Sequence, residues 1–213
     1  MEVETKYTIP DEAVYRRLCD LDELAGLPLT DPQTARVWDR YFDTAAYDFL
    51  RAGYTYRVRN KGGSVIVTLK SLAAASGALH SREEFETFVE PGTALQPESW
   101  PAGEAADLAQ QIGRGEPLTL LVELFQERRT RKIVHPGEVN PAIELSLDKI
   151  EFSTASDAFY ELEAEERTSG QATYLARVDE VLTGDWGLMP QSLSKFERAL
   201  RLHRPDVFAL LSV

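Results

Sequence analysis

Charged and less polar residues alternate through Glu2–Ile9, which predicts a strand. Pro10 and Asp11 then open a helix reaching about Leu24, with Val14, Leu18, Leu21 and Leu24 along one side. Residues 26–32 read as a loop and 35–42 as a strand. Residues 54–60 and 65–71 flank Lys61-Gly62-Gly63-Ser64 and read as a β-hairpin. A small-residue loop at 71–77 leads to a strand at 82–90. Residues 91–117 hold Pro, Gly and acids around a short helix at 104–112, and read as an excursion from the sheet. Residues 118–134 predict a long strand, 142–148 a strand that 150–153 extends, and 159–166 another. Thr168 is placed to cap a helix to Leu182. Ser192 or Ser194 opens a further helix to about Leu202, and 205–213 form a short C-terminal tail. The pattern is α+β, in one domain over 1–213.

In a strand, residues two apart share a face. The first strand groups Glu2, Glu4 and Lys6, with Val3, Tyr7 and Ile9 opposite. The hairpin groups Arg57 with Arg59, and Lys70 with Ile66 and Thr68. The next strand groups Arg82, Glu84 and Glu86 against Phe85 and Val89. Arg129 and Arg131 share a face, which turns Arg128 outward. Glu144, Ser146 and Asp148 oppose Ile143, Leu145 and Leu147; Glu161, Glu163 and Glu165 oppose Tyr160 and Leu162. Solvated outer faces of half-buried strands would explain alternation alone. Carboxylates at i and i+2 on several strands repel unless opposite charge or a metal lies between them. The charged faces are therefore expected to look at one another, as in a closed antiparallel barrel with a charged, water-filled interior. Helices at 11–24, 168–182 and 194–202 would cover its apolar exterior.

The 213 residues carry 35 acids against 23 bases, a formal charge of −12. That disfavours a broad nucleic-acid or membrane-binding surface but allows a local basic pocket. Cys19 is the one cysteine, so no intramolecular disulfide exists, and no Cys/His group has zinc spacing. No run of about 18 apolar residues is present. The start, Met1-Glu2-Val3-Glu4, is unlike a signal peptide, so a cytoplasmic protein is expected. His80, His135 and His203 share no motif, and Trp38, Trp100 and Trp186 read as packing residues. No phosphate loop of the GxxxxGKS type occurs.

Clustered carboxylates are hard oxygen ligands suited to Mg²⁺ or Mn²⁺. Clustered Arg and Lys suit phosphate oxygens. A ligand that needs both is a polyphosphate with its divalent metal. Such chemistry is mostly positioning and charge stabilisation, with metal-activated water as the nucleophile.

Glu2-Val3-Glu4-Thr5-Lys6 is an ExExK pattern. It is followed in order by Tyr41-Phe42-Asp43-Thr44, Arg57-Val58-Arg59, Thr68-Leu69-Lys70 and Arg82-Glu83-Glu84-Phe85-Glu86. Then come Arg128-Arg129, Leu147-Asp148, Glu161-Leu162-Glu163 and Ser194-Lys195. This set resembles the CYTH superfamily, or triphosphate tunnel metalloenzymes, from residue 2 to about 200. The resemblance implies a closed eight-stranded antiparallel tunnel that hydrolyses a triphosphate with Mg²⁺ or Mn²⁺. It implies Glu2, Glu4, Asp148, Glu161 and Glu163 as metal-side acids, with Glu84 and Glu86 on the same lining. It implies Lys6, Arg57, Arg59, Lys70, Arg82, Arg129 and Lys195 as phosphate-binding bases; parity or proximity adds Arg131, Glu144, Glu165 and Arg198. Glu2, Glu4, Lys6, Asp148 and Lys195 are the expected catalytic set. Thr55 stands where vertebrate thiamine triphosphatases of the family place a Trp, so inorganic tripolyphosphate is the favoured substrate. An adenylate cyclase of the same superfamily, and a non-catalytic polyphosphate- or nucleotide-binding module, are the alternatives. A small-molecule triphosphate is the expected partner, and the architecture carries the expectation of a homodimer.

Overall fold

The structure is a computed structural model, and it describes residues 2–72, 79–134, 140–152, 158–167 and 172–212. The cap expected at Thr168, most of the 71–77 loop, His135, Ser153 and the side chain of Glu2 lie outside the described residues.

The chain begins with β1 (Glu2–Ile9), α1 (Glu12–Cys19) and a two-residue ladder, β2 (Glu23–Leu24) with β3 (Leu27–Pro28). Then follow β4 (Gln33–Thr44), α2 (Asp48–Arg51), β5 (Tyr54–Lys61), β6 (Ser64–Ser71), β7 (Leu79–Arg82), β8 (Glu84–Val89) and α3 (Glu104–Gly113). The second half holds β9 (Leu118–Ile133), β10 (Ile143–Phe152), β11 (Phe159–Glu166), α4 (Ala172–Gly184), β12 (Met189–Pro190), α5 (Lys195–His203) and α6 (Pro205–Phe208). The expected helix from Asp11 stops five residues short. Asp11 caps it by accepting from the Val14 N–H at 2.8 Å, and the chain turns at Asp20 into the β2–β3 ladder. The two segments expected at 142–148 and 150–153 are one strand.

The large antiparallel sheet runs β12-β1-β11-β10-β9-β4-β5-β6-β8, with β7 paired separately to β1. It is an open sheet, which corrects the closed eight-stranded barrel expected from sequence. Of the single strand expected at 82–90, only Arg82 belongs to β7, which pairs with β1; Glu84–Val89 forms β8, which pairs with β6, and among the described residues no ladder joins β1 to β6 or β8. Alternation assigns faces, but ring closure needs the strands at the two ends of the sheet to pair with each other, which alternation does not specify.

Three apolar clusters hold the sheet. α1 and α4 cover β1, β10 and β11 through Leu18, Leu175, Val178 and Leu182 against Tyr7, Leu145, Leu147 and Leu162. The 91–117 excursion supplies α3, whose Ala106 and Ala109, with Trp100 before it, pack on Tyr56, Val58, Val67 and Leu69. The third cluster lies on the charged face. Phe196, Ala199 and Leu200 of α5 pack there on Tyr41, Leu124, Ile150 and Phe152. The interior is therefore not wet throughout: α5 fills one end with apolar core. It was expected on the exterior, but its own stripe (Phe196, Ala199, Leu200) matches the apolar ends of the inner faces, so burial favours it inside.

Candidate active site

The tightest local determinant is the β5–β6 hairpin. Gly62 and Gly63 take φ +57 and +86, the left-handed pair that a two-residue hairpin loop needs. Lys61 then pairs with Ser64 and Arg57 with Thr68. That register sets Arg57, Arg59 and Lys61 on one face with Thr68 and Lys70, and turns Tyr54, Tyr56 and Val58 to the other, against the α3 cluster.

The charged face curls around a cavity of about 540 Å³. Among the described residues nine bases line it: Lys6 from β1, Arg57, Arg59 and Lys61 from β5, Lys70 from β6, Arg82 from β7, Arg128 from β9, Arg167 just after β11, and Lys195 at the first turn of α5. Six glutamates line it too: Glu4, Glu84, Glu86, Glu144, Glu163 and Glu165. The lining is thus net positive in a chain of charge −12. Its two aromatic side chains, Tyr41 and Phe196, pack on each other at the floor, with ring centroids 4.7 Å apart.

A central knot joins β1, β9, β10, β11 and α5. Lys6 Nζ lies 2.7 Å from Glu163 and 2.9 Å from Glu4. Lys195 Nζ reaches Glu161 at 2.6 Å, Glu163 at 2.7 Å and Asp148 at 3.1 Å. Arg128 grips Asp148 as a fork, Nε to Oδ1 at 2.8 Å and Nη2 to Oδ2 at 2.6 Å, and its Nη2 also meets Glu163 at 2.7 Å. Ser194 fixes the approach of Lys195, since its hydroxyl accepts from the Glu197 N–H while the Glu197 carboxylate accepts from the Ser194 N–H. On the facing wall Lys70 sits 3.4 Å from Glu4 and 3.6 Å from Glu84, and Arg57 3.3 Å from Glu84. Arg82 lies 3.7 Å from Glu197.

Burial and pairing oppose each other at these groups. Burial raises the Glu4 carboxyl, but Lys6 and Lys70 outweigh both burial and the Glu163 charge and bring it down to about 2. Glu163 is likewise raised by burial and held well below the ordinary carboxylate range by Lys195, Lys6 and Arg128. Burial lowers Lys6, and Glu163 and Glu4 return it well above its ordinary value. Glu4, Glu163 and Lys6 are therefore charged near neutral pH.

The structure thus gathers Glu4, Lys6, Arg57, Arg59, Lys70, Arg82, Glu84, Glu86, Glu163 and Lys195 on one cavity. Asp148 and Glu161 are fully buried and stand behind it, holding Arg128, Lys195 and Arg198. Arg129 and Arg131 are a correction. They lie on the opposite face of β9, where Arg129 neighbours Cys19 and Arg131 donates to the backbone carbonyls of Thr30, Leu21 and Cys19. Arg128, expected outward, faces the cavity. Both faces of this stretch carry arginine, so alternation cannot choose the phase; the β9–β10 register, which sets Arg128 opposite Asp148, does.

Sequence reasoning also missed Asp39. It is wholly buried on β4, accepts the Arg59 fork at 2.7 Å and 2.7 Å, and accepts from Gln126 Nε2 at 2.6 Å. Its signal was an acid between Val37 and Tyr41, on the inward phase of a strand. Trp38 stacks on Phe125 under Arg40, away from the cavity lining.

Hard divalent cations take carboxylate oxygens. Glu4, Glu144, Glu163 and Glu165 offer them from the adjacent strands β1, β10 and β11. The Glu165 carboxyl is pushed up by burial, and further by Glu4 and Glu144, against the pull of Arg167. Clustered acids of this kind are relieved by a cation. Among the described residues no three acids already converge on one point; Lys6, Lys70, Arg128 and Arg167 hold them in ion pairs instead. The donor chemistry fits a hard divalent cation.

A family model described as the CYTH domain matches residues 1–200. Among solved structures, the chain is similar to a protein from Hippeastrum that is assigned by name to the adenylyl cyclases and described as having a dominant triphosphatase activity. Identity is 21%, 98% of this chain and 95% of that one are covered, and the TM-score is 0.69. It is also similar to a Bacillus halodurans protein assigned by name to the adenylate cyclases, at 20% identity, 93% and 96% coverage and TM-score 0.63. A third, from Pyrococcus horikoshii, matches at 15% identity, 95% and 100% coverage and TM-score 0.61. At these identities the likeness is one of fold.

Proposed function

Since the chain belongs to the CYTH domain family, we propose that it hydrolyses a triphosphate, and that the substrate is inorganic tripolyphosphate. The observation that carries this is the convergence, among the described residues, of nine bases on one cavity whose outer lining there has no aromatic side chain. A polyanion needs that excess of positive charge. A nucleoside or thiamine group would need a stacking or apolar surface beside it, and Tyr54 and Tyr56 face away while Tyr41 and Phe196 are packed in the floor.

The chain's own residues supply binding and orientation. Lys6, Arg57, Arg59, Lys70, Arg82, Arg128 and Lys195 hold phosphate oxygens. Arg59 and Arg128 each commit Nε and Nη2 to a buried aspartate. That leaves Nη1 of a pre-oriented fork for the ligand, so little side-chain freedom is lost on binding. Asp39 and Asp148 act behind those forks. Glu4, Glu144 and Glu165, with Glu163 beside them, would hold a divalent cation. When bound, that cation supplies Lewis acidity toward phosphate oxygens and water. Water adds in line to a terminal phosphorus as the bridging P–O bond breaks, giving orthophosphate and pyrophosphate.

The test is phosphate release from tripolyphosphate, ATP, GTP and thiamine triphosphate with Mg²⁺ and with Mn²⁺. Tripolyphosphate is expected to be the best of these four substrates, with Lys6→Ala inactive though folded. Cyclic AMP and pyrophosphate from ATP would replace this proposal with the cyclase. Tight tripolyphosphate binding without phosphate release would replace it with a binding module.

A further inference from the structure

Lys61 ends β5 at the rim of the cavity and is exposed. Every other base on the lining touches a carboxylate. Of the lining bases among the described residues, Lys61 alone touches none. Its neighbours make this costly. Partial desolvation at the cavity wall lowers its pKa and the like charges of Arg128 and Arg59 lower it further, while Glu144 and Asp148 pull it back only in part. A lysine held against two arginines, without an acid and facing a cavity, is relieved by an anion.

The position says which part of an anion. β5 presents Arg57, Arg59 and Lys61 in one row. Arg57 pairs across to Tyr41 at the α5-filled floor, and Lys61 lies beside the hairpin turn at the mouth. Four residues of strand span about 13 Å, so the row follows an extended chain from floor to mouth. We propose that Lys61, with Arg59 and Arg128, forms an anion subsite at the mouth that holds the outermost phosphate of a linear inorganic polyphosphate, so that chains of four phosphates are preferred to chains of three. It rests on the tripolyphosphate reading and extends that site outward. No motif of the sequence marks this residue.

The experiment is calorimetric binding of tripolyphosphate and tetrapolyphosphate, without metal, to the whole chain as wild type, Lys61→Ala and Lys61→Arg. Lys61 is exposed in a turn-flanking position, so both variants are expected to fold; circular dichroism checks this. Wild type binds tetrapolyphosphate more tightly. Lys61→Ala weakens that binding about tenfold, the loss of one charge-assisted contact, and erases the preference, while Lys61→Arg keeps it. In parallel, acetic anhydride labelling read by mass spectrometry shows Lys61 protected by saturating tetrapolyphosphate. Equal binding of the two chains by wild type, an unchanged preference in Lys61→Ala, or an unprotected Lys61 overturns the subsite while tripolyphosphate binding persists. Failure of wild type to bind either chain overturns the functional reading itself.

Discussion

Replacing Asp39 by Ala is the most demanding test of how the basic wall is held. The change leaves the Arg59 fork and the Gln126 amide facing a hole where a fully buried carboxylate accepted three hydrogen bonds. Removing one partner of a buried ion pair costs about 3–5 kcal/mol, because the surviving charge stays desolvated. The carboxyl's own ionisation points the same way. Burial raises it, and Arg59 overrides burial to bring it from 3.8 to about 2, worth about 2 kcal/mol to the folded state near neutral pH. In a chain of this size, 3–5 kcal/mol lowers Tm by roughly 6–20 °C. The assay is urea unfolding followed by circular dichroism, giving midpoint and slope for wild type, Asp39→Ala, Arg59→Ala and the double variant. The double variant is expected to be more stable than the sum of the singles predicts, by about 1–3 kcal/mol, since it removes both charges. A loss under about 1 kcal/mol in Asp39→Ala, or strict additivity, would show that Arg59 is not held by Asp39.

Further outcomes follow from the same contacts. Arg128→Ala is expected to weaken tripolyphosphate binding at least about tenfold, whereas Arg129→Ala stays near wild type; the reverse order in calorimetry would restore the phase expected from sequence. Arg131→Ala should lower stability by about 1–3 kcal/mol, through carbonyls left without their donor, at unchanged affinity. Ser194→Ala breaks the capping box and should cost about 1 kcal/mol; urea midpoints equal to wild type would show that the cap does not hold α5. Glu4 and Asp39 have folded pKa values of about 2, below their unfolded values, so their contribution is complete above about pH 4.5 and is lost as pH falls toward 2. Urea midpoints at pH 6, 4 and 3 should fall in that order, and a flat profile would contradict the ion-pair network.

The sequence by itself determined which residues can share a face. Period-two alternation separates Glu4 and Lys6 from Tyr7, and Glu161 and Glu163 from Leu162, because a pleated strand leaves no other choice. The Gly62-Gly63 pair determined the hairpin register, since other residues rarely take positive φ twice in succession. Tertiary structure decided what alternation leaves degenerate. Arg128 and Arg129 are equivalent in the pattern, and pairing against Asp148 selects one. Asp39 looks unremarkable until Arg59 arrives from β5. The strand expected at 82–90 is divided: Arg82 ends β7, which pairs with β1, whereas Glu84–Val89 is β8, which pairs with β6, and among the described residues no ladder joins the two sides. The stripe of α5 seeks burial, but only the assembled sheet shows that the free apolar surface lies inside. Local pattern is a property of neighbours in the chain; closure, phase and the partner of a buried charge are properties of neighbours in space.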